Sequence, residues 1–190
     1  MSLRILRFKR IASTQDTARR LAERGAPSWT VVLADRQRRG RGRMERSWSS
    51  GAGGLYLSVI LRPRAAPADL ARWSLLCGQA CAAALQKASG LKTVVSPPND
   101  IFASAPGSPT GAYKKVCGIL LEASGDTKNV DWLIAGIGIN VDNRLPKTLE
   151  RASSLRTLLG RRRRISKGTI LKAVIKELRL RSKKELWQDC

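Results

Sequence analysis

The sequence predicts an α+β or α/β fold in which helices flank one mixed β-sheet. The chain has 190 residues, enough for one domain with a sizeable core, and 43% of them are hydrophobic. These apolar residues recur with strand-like and helix-like periods, and the two kinds of segment interleave along the chain. No apolar run approaches the roughly 20 residues that a membrane-spanning helix needs.

Alternating apolar residues predict the strands of this sheet. The opening MSLRILRFKRIAS is basic, as in a transit peptide, but its alternation is typical of a first strand. WTVVLADR and GGLYLSVILRP follow as strands, and three more are predicted over residues 92–96, 114–124 and 130–141. The segment PPNDIFASAPGSPTGAY, over residues 97–113, is rich in turn formers and predicts a surface connection.

Three helices are predicted from capping residues and apolar periodicity. Ser13 is typical of an N-cap, and the helix that it begins is expected to end at Gly25. A mostly apolar helix is predicted over residues 69–88. A last helix is predicted over residues 166–187, and its apolar face is formed by Ile170, Leu171, Val174, Ile175 and Leu178.

The composition points to an anionic partner and a reducing environment. The formal charge is +22, from 36 lysine and arginine residues against 14 acidic ones. Such a charge attracts a nucleotide, a nucleic acid or an acidic protein, and does not choose among them. The chain has four cysteines without a C-x-x-C pair and no histidine, which argues against a structural zinc site. Free thiols suit a reducing compartment, so we expect a cytoplasmic location.

The most unusual stretch is DRQRRGRGRMERSW, from Asp35 to Trp48. Because it joins two predicted strands and opens no helix, it is neither a dinucleotide-binding fingerprint nor a P-loop. Its glycines would let the backbone approach a ligand closely, and its arginines can grip phosphate or carboxylate oxygens. The alternative is a solvated or nucleic-acid-facing loop, and the stretch alone does not exclude it.

Three shorter motifs are weak individually. PPND places an amide and a carboxylate after two stiffening prolines, although a plain turn would look the same. KKVCGILLE begins an apolar strand with two lysines, which are usually just solvated. GIGIN has two glycines inside a strand, and this weakens the strand unless something lies close against its backbone. The last motif therefore favours a ligand.

Taken in order, these motifs resemble a known family. The chain contains STQD, ADRQRRGRGRMERSW, GGLYLSVILRP, PPND, KKVCGILLE, GIGINV and ASSL. From about Leu6 to Leu159 this set resembles the catalytic domain of the biotin protein ligases, also called biotin–[acetyl-CoA-carboxylase] ligases. The resemblance implies the class II biotin/lipoate ligase-like fold, with residues 1–190 as a single catalytic domain lacking the winged helix and the C-terminal barrel of many relatives. We therefore expect no repressor role and no sequence-specific DNA binding.

The resemblance also implies the site residues. Biotin would be bound by Ser13, Thr14, Gln15, Gln37, Gly40, Arg41, Gly42, Arg43, Lys115 and Gly118. The nucleotide would be bound by Arg43, Arg46, Trp48, Asn99, Lys115 and Asn140. The catalytic residues would be Lys115, Arg43 and Asp100. No side chain of the protein is expected to be a metal ligand.

The reaction implied is ATP-dependent and passes through biotinyl-5'-AMP, with Mg²⁺ as the ion and biotin as the substrate. The acceptor would be a lysine of a biotin carboxyl carrier protein, and the protein would be a monomer or a homodimer. Cations would offset the repulsion between the carboxylate and ATP, and a closing loop would keep water from the labile intermediate.

Besides Gln15, which replaces the usual Asn, the sequence departs from the family pattern in three respects. Ser96-Pro97 replaces Lys-Trp before Pro-Asn-Asp, Glu45 replaces a glycine of the loop, and the chain is shorter than many relatives. Ser96-Pro97, the expected lack of the barrel and the charge of +22 favour a first alternative, and the fold that the lipoate ligases share allows a second. The first is a degenerate ligase-fold protein that binds biotin, nucleotide or nucleic acid without turnover, and the second is a relative of the lipoate ligases.

Overall fold

The computed structural model describes residues 2–63, 65–109, 112–160 and 165–185. Seven strands form one sheet in the order β1-β2-β3-β7-β6-β5-β4. Their bounds are β1 Arg4–Phe8, β2 Thr30–Ala34, β3 Leu55–Leu61, β4 Lys92–Ser96, β5 Asp100–Ser104, β6 Lys114–Gly125 and β7 Val130–Ile139. Strands β1 and β2 are parallel and the other neighbours are antiparallel, so the predicted mixed sheet is confirmed.

Helices cover both faces of the sheet. Their bounds are α1 Thr14–Glu23, α2 Leu70–Ser89, α3 Leu155–Leu159 and α4 Lys167–Glu185. Helices α2 and α4 pack together over the larger core, which receives Leu57 and Val59 of β3. Helix α1 covers the other face, where Ile60 belongs to a smaller core with Ala18. Because both faces are covered, every residue of β3 is buried.

Both ends of helix α1 are fixed by side chains. The Ser13 hydroxyl accepts hydrogen bonds from the amides of Gln15 and Asp16, at 3.2 and 3.4 Å, as the capping pattern predicts. At the other end the Arg62 guanidinium donates to the carbonyl of Ala22 at 2.6 Å and to that of Ala26 at 3.0 Å. The first turn of α1, which carries candidate site residues, is therefore held in place on the sheet.

Helix α4 presents the predicted apolar face to the core. All residues of that face are buried, from Ile170 to Leu178. The helix is described up to Glu185, and its predicted extension to residue 187 lies outside the described residues. In the part of the chain that the structure describes, no helix is both long and apolar enough to cross a membrane.

The prediction of a surface connection over residues 97–113 is wrong for its first half. Asp100–Ser104 form strand β5, which pairs with both β4 and β6. Ile101 and Ala103 are fully buried, so the alternation of a strand is present between the turn formers. This strand matters for the site because Asp100 stands at its start and is held by sheet pairing.

Glu177 supplies the first testable prediction. It is buried in α4, and its carboxylate accepts a hydrogen bond from the Lys87 ammonium of α2 at 2.6 Å, which lowers the Glu177 pKa. Glu177→Gln should lower the free energy of unfolding at pH 7 by about 1 kcal/mol, since the exposed Lys87 is screened by solvent. Because the pKa of Glu177 is lowered in the folded protein, the difference should be fully present above the ordinary glutamate pKa of about 4.3 and should be lost as the pH falls from there through the lower folded pKa.

Urea denaturation at pH 7 and at acid pH measures this difference. Glu150→Gln, which changes an exposed glutamate outside the helices, is the control and should leave the stability unchanged. Equal stability of the Glu177→Gln protein and wild type at pH 7 would contradict the prediction.

Candidate active site

A cavity of about 390 Å³ opens on the sheet face that carries α1. It lies between the first turn of α1, the arginine-rich loop, strands β5 to β7 and the segment 145–152. Among the described residues its lining includes Ser13, Thr14, Gln15, Gln37, Arg41, Gly42, Arg43, Arg46, Trp48, Asn99, Asp100, Lys115, Gly118 and Asn140. Every predicted site residue except Gly40 is thus brought to one place, and their roles remain predictions.

Glycines form the floor of the cavity. Gly118 of β6 lies directly opposite Gly138 of β7 in the sheet register. A Cβ atom at Gly118 would lie 2.7 Å from the Trp48 ring, and one at Gly138 would overlap the indole nitrogen. A Cβ at Gly136 would overlap the side-chain oxygen of Gln15. The floor therefore requires glycine, because two large side chains rest directly on its backbone.

A network of neutral polar groups joins α1 to the loop and the sheet. The Gln37 side-chain oxygen accepts hydrogen bonds from the amide and the hydroxyl of Thr14, at 2.7 and 3.0 Å. The Ser58 hydroxyl of β3 lies 2.9 Å from the Thr14 hydroxyl and 3.0 Å from the side-chain oxygen of Gln15. Gln37 also donates to the Ser50 hydroxyl at 2.8 Å. These side chains are buried or half-buried, so their orientation is set before a ligand arrives.

The arginine-rich loop is a small hairpin. The Gly42 amide donates to the Arg46 carbonyl at 2.7 Å, and the Trp48 amide donates to the Gly40 carbonyl at 2.8 Å. At the tip Met44 is exposed and has a φ of +51°, in the left-handed region. Gly40 is packed against Ser50 and the Trp48 carbonyl, where a Cβ would overlap both, so it supports the loop and does not line the cavity.

A lysine and an aspartate form an ion pair over the glycine floor. The Lys115 ammonium lies 2.6 Å from Asp100 Oδ2 and 5.5 Å from the centre of the Trp48 ring. Asp100 Oδ1 is buried and has no hydrogen-bond partner among the described residues. Both side chains keep 28% of their surface exposed, so neither is sealed from a ligand. Lys115 is thus a paired cation and not the exposed strand-end lysine that the sequence suggests.

The two arginines on either side of Gly42 have different partners. The Arg43 guanidinium donates to the side-chain oxygen of Asn99 at 3.2 Å, and Asn99 donates to the Ile119 carbonyl at 2.7 Å. The Arg41 guanidinium lies instead 2.8 Å from the carboxylate of Glu122 and 3.0 Å from that of Asp16. Arg43 therefore lies against a neutral amide, whereas Arg41 is held by two acids.

Glu122 also binds a second arginine. Its other carboxylate oxygen lies 2.8 Å from the guanidinium of Arg19 in α1, and this hydrogen bond raises the Arg19 pKa. Glu122 belongs to the motif KKVCGILLE, but nothing in that motif indicates that it lies beside the loop. The contact depends on the long-range register of β6, which no local pattern reveals.

Sequence reasoning missed the apolar rim of the cavity. Met44 of the loop and three residues of the segment 145–152 line it, namely Leu145, Leu149 and Ala152. That segment is attached to β6, because the Lys115 amide donates to the Arg151 carbonyl at 2.8 Å. Of the positions that depart from the family pattern, Gln15 lines the cavity, whereas among the described residues the lining does not include Glu45, Ser96 or Pro97.

The close contact between Trp48 and the floor can be tested by adding one methyl group. Gly138→Ala should displace the indole and lower the free energy of unfolding by about 1–3 kcal/mol, the usual cost of overpacking. The same substitution in a Trp48→Ala background should cost much less, because the clash is removed. Urea denaturation of the four proteins gives this cycle. Equal costs in both backgrounds would show that Trp48 does not occupy the floor.

The sequence is similar to those of known ligases. The chain is 41% identical over 133 residues to the bifunctional ligase/repressor BirA of Bacillus spizizenii, covering 70% of this chain and 38% of the relative. It is 34% identical over 134 residues to a biotin–[acetyl-CoA-carboxylase] ligase of Paracoccus denitrificans, covering 70% of this chain and 52% of the relative. The chain thus spans about half or less of the length of these relatives.

The fold is also similar to solved structures. The biotin protein ligase from Aquifex aeolicus in complex with biotin and ATP matches with a TM-score of 0.78 at 33% identity, covering 95% of this chain and 71% of that one. The family profile described as biotin/lipoate A/B protein ligase matches residues 7–140. From this match, which spans the loop, the glycine floor and Lys115, the chain belongs to the biotin/lipoate A/B protein ligase family.

Proposed function

We propose that the protein is an ATP-dependent biotin protein ligase that activates biotin to biotinyl-5'-AMP and transfers biotin to a lysine of a carrier protein. The observation that carries this proposal is the meeting of Lys115, the arginine-rich loop and the glycine floor in one cavity. The similar Aquifex aeolicus ligase, whose structure contains biotin and ATP, supports the choice of both substrates.

Biotin would lie on the buried polar side of the cavity. Thr14, Gln15 and Gln37 present hydroxyl and amide groups there, and such groups suit the cyclic urea of biotin. Gly118, on whose backbone the Trp48 ring rests, would border the biotin site without a side chain of its own. Ser13, Arg41 and Gly42 complete the proposed biotin residues, while Gly40 contributes through the loop backbone. The carboxylate of biotin would then point toward Lys115.

ATP would lie on the more exposed side of the cavity. Arg43, Arg46 and Lys115 provide cations for the phosphates there, and Trp48 provides an aromatic surface. Asn99 and Asn140 also line the cavity, and Asn140 is held by a hydrogen bond from the side chain of Asn143 at 3.1 Å. This arrangement brings the α-phosphate and the biotin carboxylate together beside Lys115.

In the first step a biotin carboxylate oxygen attacks the α-phosphorus, the phosphorus–oxygen bond to the β-phosphate breaks, and pyrophosphate leaves. Lys115 and Arg43 would offset the repulsion between the two anions and stabilise the charge that develops at the α-phosphate. In the second step the acceptor lysine amine attacks the acyl carbon and AMP leaves. The Asp100 carboxylate, which keeps 28% of its side-chain surface exposed, would accept the amine proton.

A magnesium ion would accompany ATP. The chemistry of the cavity fits this ion, because its lining includes the carboxylate of Asp100, a hard oxygen donor of the kind that Mg²⁺ prefers. When bound, the ion supplies positive charge to the departing pyrophosphate. Most of its ligands would be ATP phosphates and water.

The second candidate is a protein that binds biotin and nucleotide without turnover. Ser96-Pro97 favours it, because these residues replace the Lys-Trp of the family pattern. The cavity argues the other way: among the described residues neither Ser96 nor Pro97 lines it, and Lys115, Asp100 and Arg43 are all present in it. We therefore retain the active ligase as the first proposal.

The partner and location follow from the proposed reaction. A biotin carboxyl carrier protein is the proposed acceptor, supported by the name of the Paracoccus denitrificans relative. Sequence-specific DNA binding is not part of the proposal, and the protein would act as a monomer or a homodimer. The buried Cys77, Cys81 and Cys117 are free cysteines, which is compatible with the proposed cytoplasmic location.

Lys115 separates the two candidates. Lys115→Ala should reduce the rate of biotinyl-adenylate formation by on the order of 100-fold, because it removes a cation that acts mainly as the anions meet. Binding of ATP should weaken less. The measurement is formation of labelled biotinyl-adenylate with ATP and Mg²⁺. The matched control is Lys114→Ala, since Lys114 is the adjacent lysine and donates to the Glu150 carbonyl outside the ion pair.

Two outcomes would count against the ligase. One is an equal fall in the rate of biotinyl-adenylate formation in the Lys114→Ala and Lys115→Ala proteins, which would show that Lys115 has no special role. The other is a wild-type protein that makes no adenylate while Lys115→Ala binds biotin and ATP as well as wild type does. The second outcome would establish binding without turnover.

Arg43 tests whether the loop binds the ligand directly. Arg43→Ala should weaken the retention of biotin and biotinyl-adenylate by about 1.5–3 kcal/mol, the size of a hydrogen bond to a charged group. Arg38→Ala, which removes an exposed arginine outside the cavity lining, is the control and should change little. Titration calorimetry with biotin is the measurement. Unchanged biotin affinity in the Arg43→Ala protein would remove the loop from the proposed site.

A further inference from the structure

Four charged side chains meet where α1, the arginine-rich loop and β6 come together. Glu122 lies at the centre, with Arg41 of the loop at 2.8 Å on one carboxylate oxygen and Arg19 of α1 at 2.8 Å on the other. Asp16 of α1 lies 3.0 Å from Arg41. Two acids and two arginines thus alternate, so each charge has opposite charges as its nearest neighbours.

Glu122 is the stronger anchor for Arg41. Its side chain keeps only 16% of its surface exposed, whereas that of Asp16 keeps 41%. A less exposed ion pair is screened less by water and salt. Glu122 also stands on β6, where its register partner is Ile134 of β7, so its backbone is held by sheet pairing. The ion pair between Arg41 and Glu122 therefore ties the arginine-rich loop to strand β6, and we call it the loop tie.

The loop tie restrains the whole hairpin, and not Arg41 alone. Arg41 faces Ser47 across the hairpin, and the next ladder bond joins Gly40 to Trp48. Holding Arg41 therefore also fixes Trp48, whose indole lies on the glycine floor of the cavity. Without such a tie, the many arginines of residues 36–46 would repel one another and favour an open loop.

We infer that Glu122 is a positioning residue, which holds Arg41 so that the loop stays closed over the cavity and retains the acyl-adenylate. Only the claim that the loop retains the acyl-adenylate rests on the proposed ligase function. The claim that Glu122 keeps the loop closed concerns the ligand-free protein and does not depend on that function. Glu122 does not itself contact a reacting group, since it acts through Arg41 and the hairpin.

The test compares Glu122→Gln with Arg19→Gln. Glutamine keeps the shape of Glu122 and removes the charge that holds Arg41. Arg19→Gln removes the other partner of Glu122 and leaves the contact with Arg41, so it controls for general loss of the charge cluster. The Glu122→Gln protein should release biotinyl-adenylate about tenfold faster than wild type, the change expected when one charge-assisted hydrogen bond is lost. Its single-turnover rate of adenylate formation should fall by a smaller factor than the one by which its release rate rises.

A second readout needs no activity. Limited trypsin digestion of the ligand-free chain, analysed by mass, reports cleavage after Arg41, Arg43 and Arg46. Cleavage there should be faster in Glu122→Gln than in wild type or Arg19→Gln. If wild type makes no adenylate but this order of cleavage holds, the proposed function fails and the loop tie stands.

Other outcomes overturn the inference. Equal cleavage of the loop in Glu122→Gln and wild type would show that Glu122 does not hold it. Faster cleavage with unchanged release of biotinyl-adenylate would refute its role in retention. Equal effects of Glu122→Gln and Arg19→Gln on both readouts would assign Glu122 a general structural role instead.

Discussion

The site depends on the absence of side chains at three positions of the sheet. Gly118, Gly136 and Gly138 lie on neighbouring strands, and Gly118 is directly opposite Gly138. Glycine inside a strand costs backbone entropy and offers no side chain to pack. Here Gln15 and Trp48 supply the missing contacts from above the sheet. The cavity, the position of α1 and the closed loop therefore depend on one constraint. Side chains of α1 and of the loop must lie directly against the backbone of β6 and β7.

Electrostatics explains how so cationic a site stays ordered without an anion. Lys115 is neutralised by Asp100, and Arg41 is neutralised by Glu122 and Asp16. Arg43 differs, because the only partner that the described residues give its guanidinium is the neutral amide of Asn99. A ligand anion would therefore gain most from Arg43, while Arg41 is already committed to the protein. Two arginines separated only by Gly42 thus have different roles.

Much of the fold was predictable because alternation and helical periodicity are local. The strands β1 to β4, β6 and β7 and the buried face of α4 follow directly from such patterns. Strand β5 was not predictable, because five strand residues stand among prolines and glycines that dominate the local pattern. The ion pairs of Glu122 and Lys115 were not predictable either, since each joins residues brought together only by the register of the sheet. Motif order predicted residues that the structure brings together in the cavity lining, but it could not show that Gly40 supports the loop from outside the cavity.

The two sides of the cavity differ in exposure, and this difference suits a reaction in two steps. Gln15 is almost completely buried, whereas Asp100 and Lys115 each keep 28% of their side-chain surface exposed. In the proposed reaction the acyl carbon lies beside Lys115, so an acceptor lysine reaches it from the Asp100 side. It need not cross the buried side where biotin is bound, and the tie between Arg41 and Glu122 need not break. The same geometry that encloses the intermediate therefore leaves open the one approach that the second step requires.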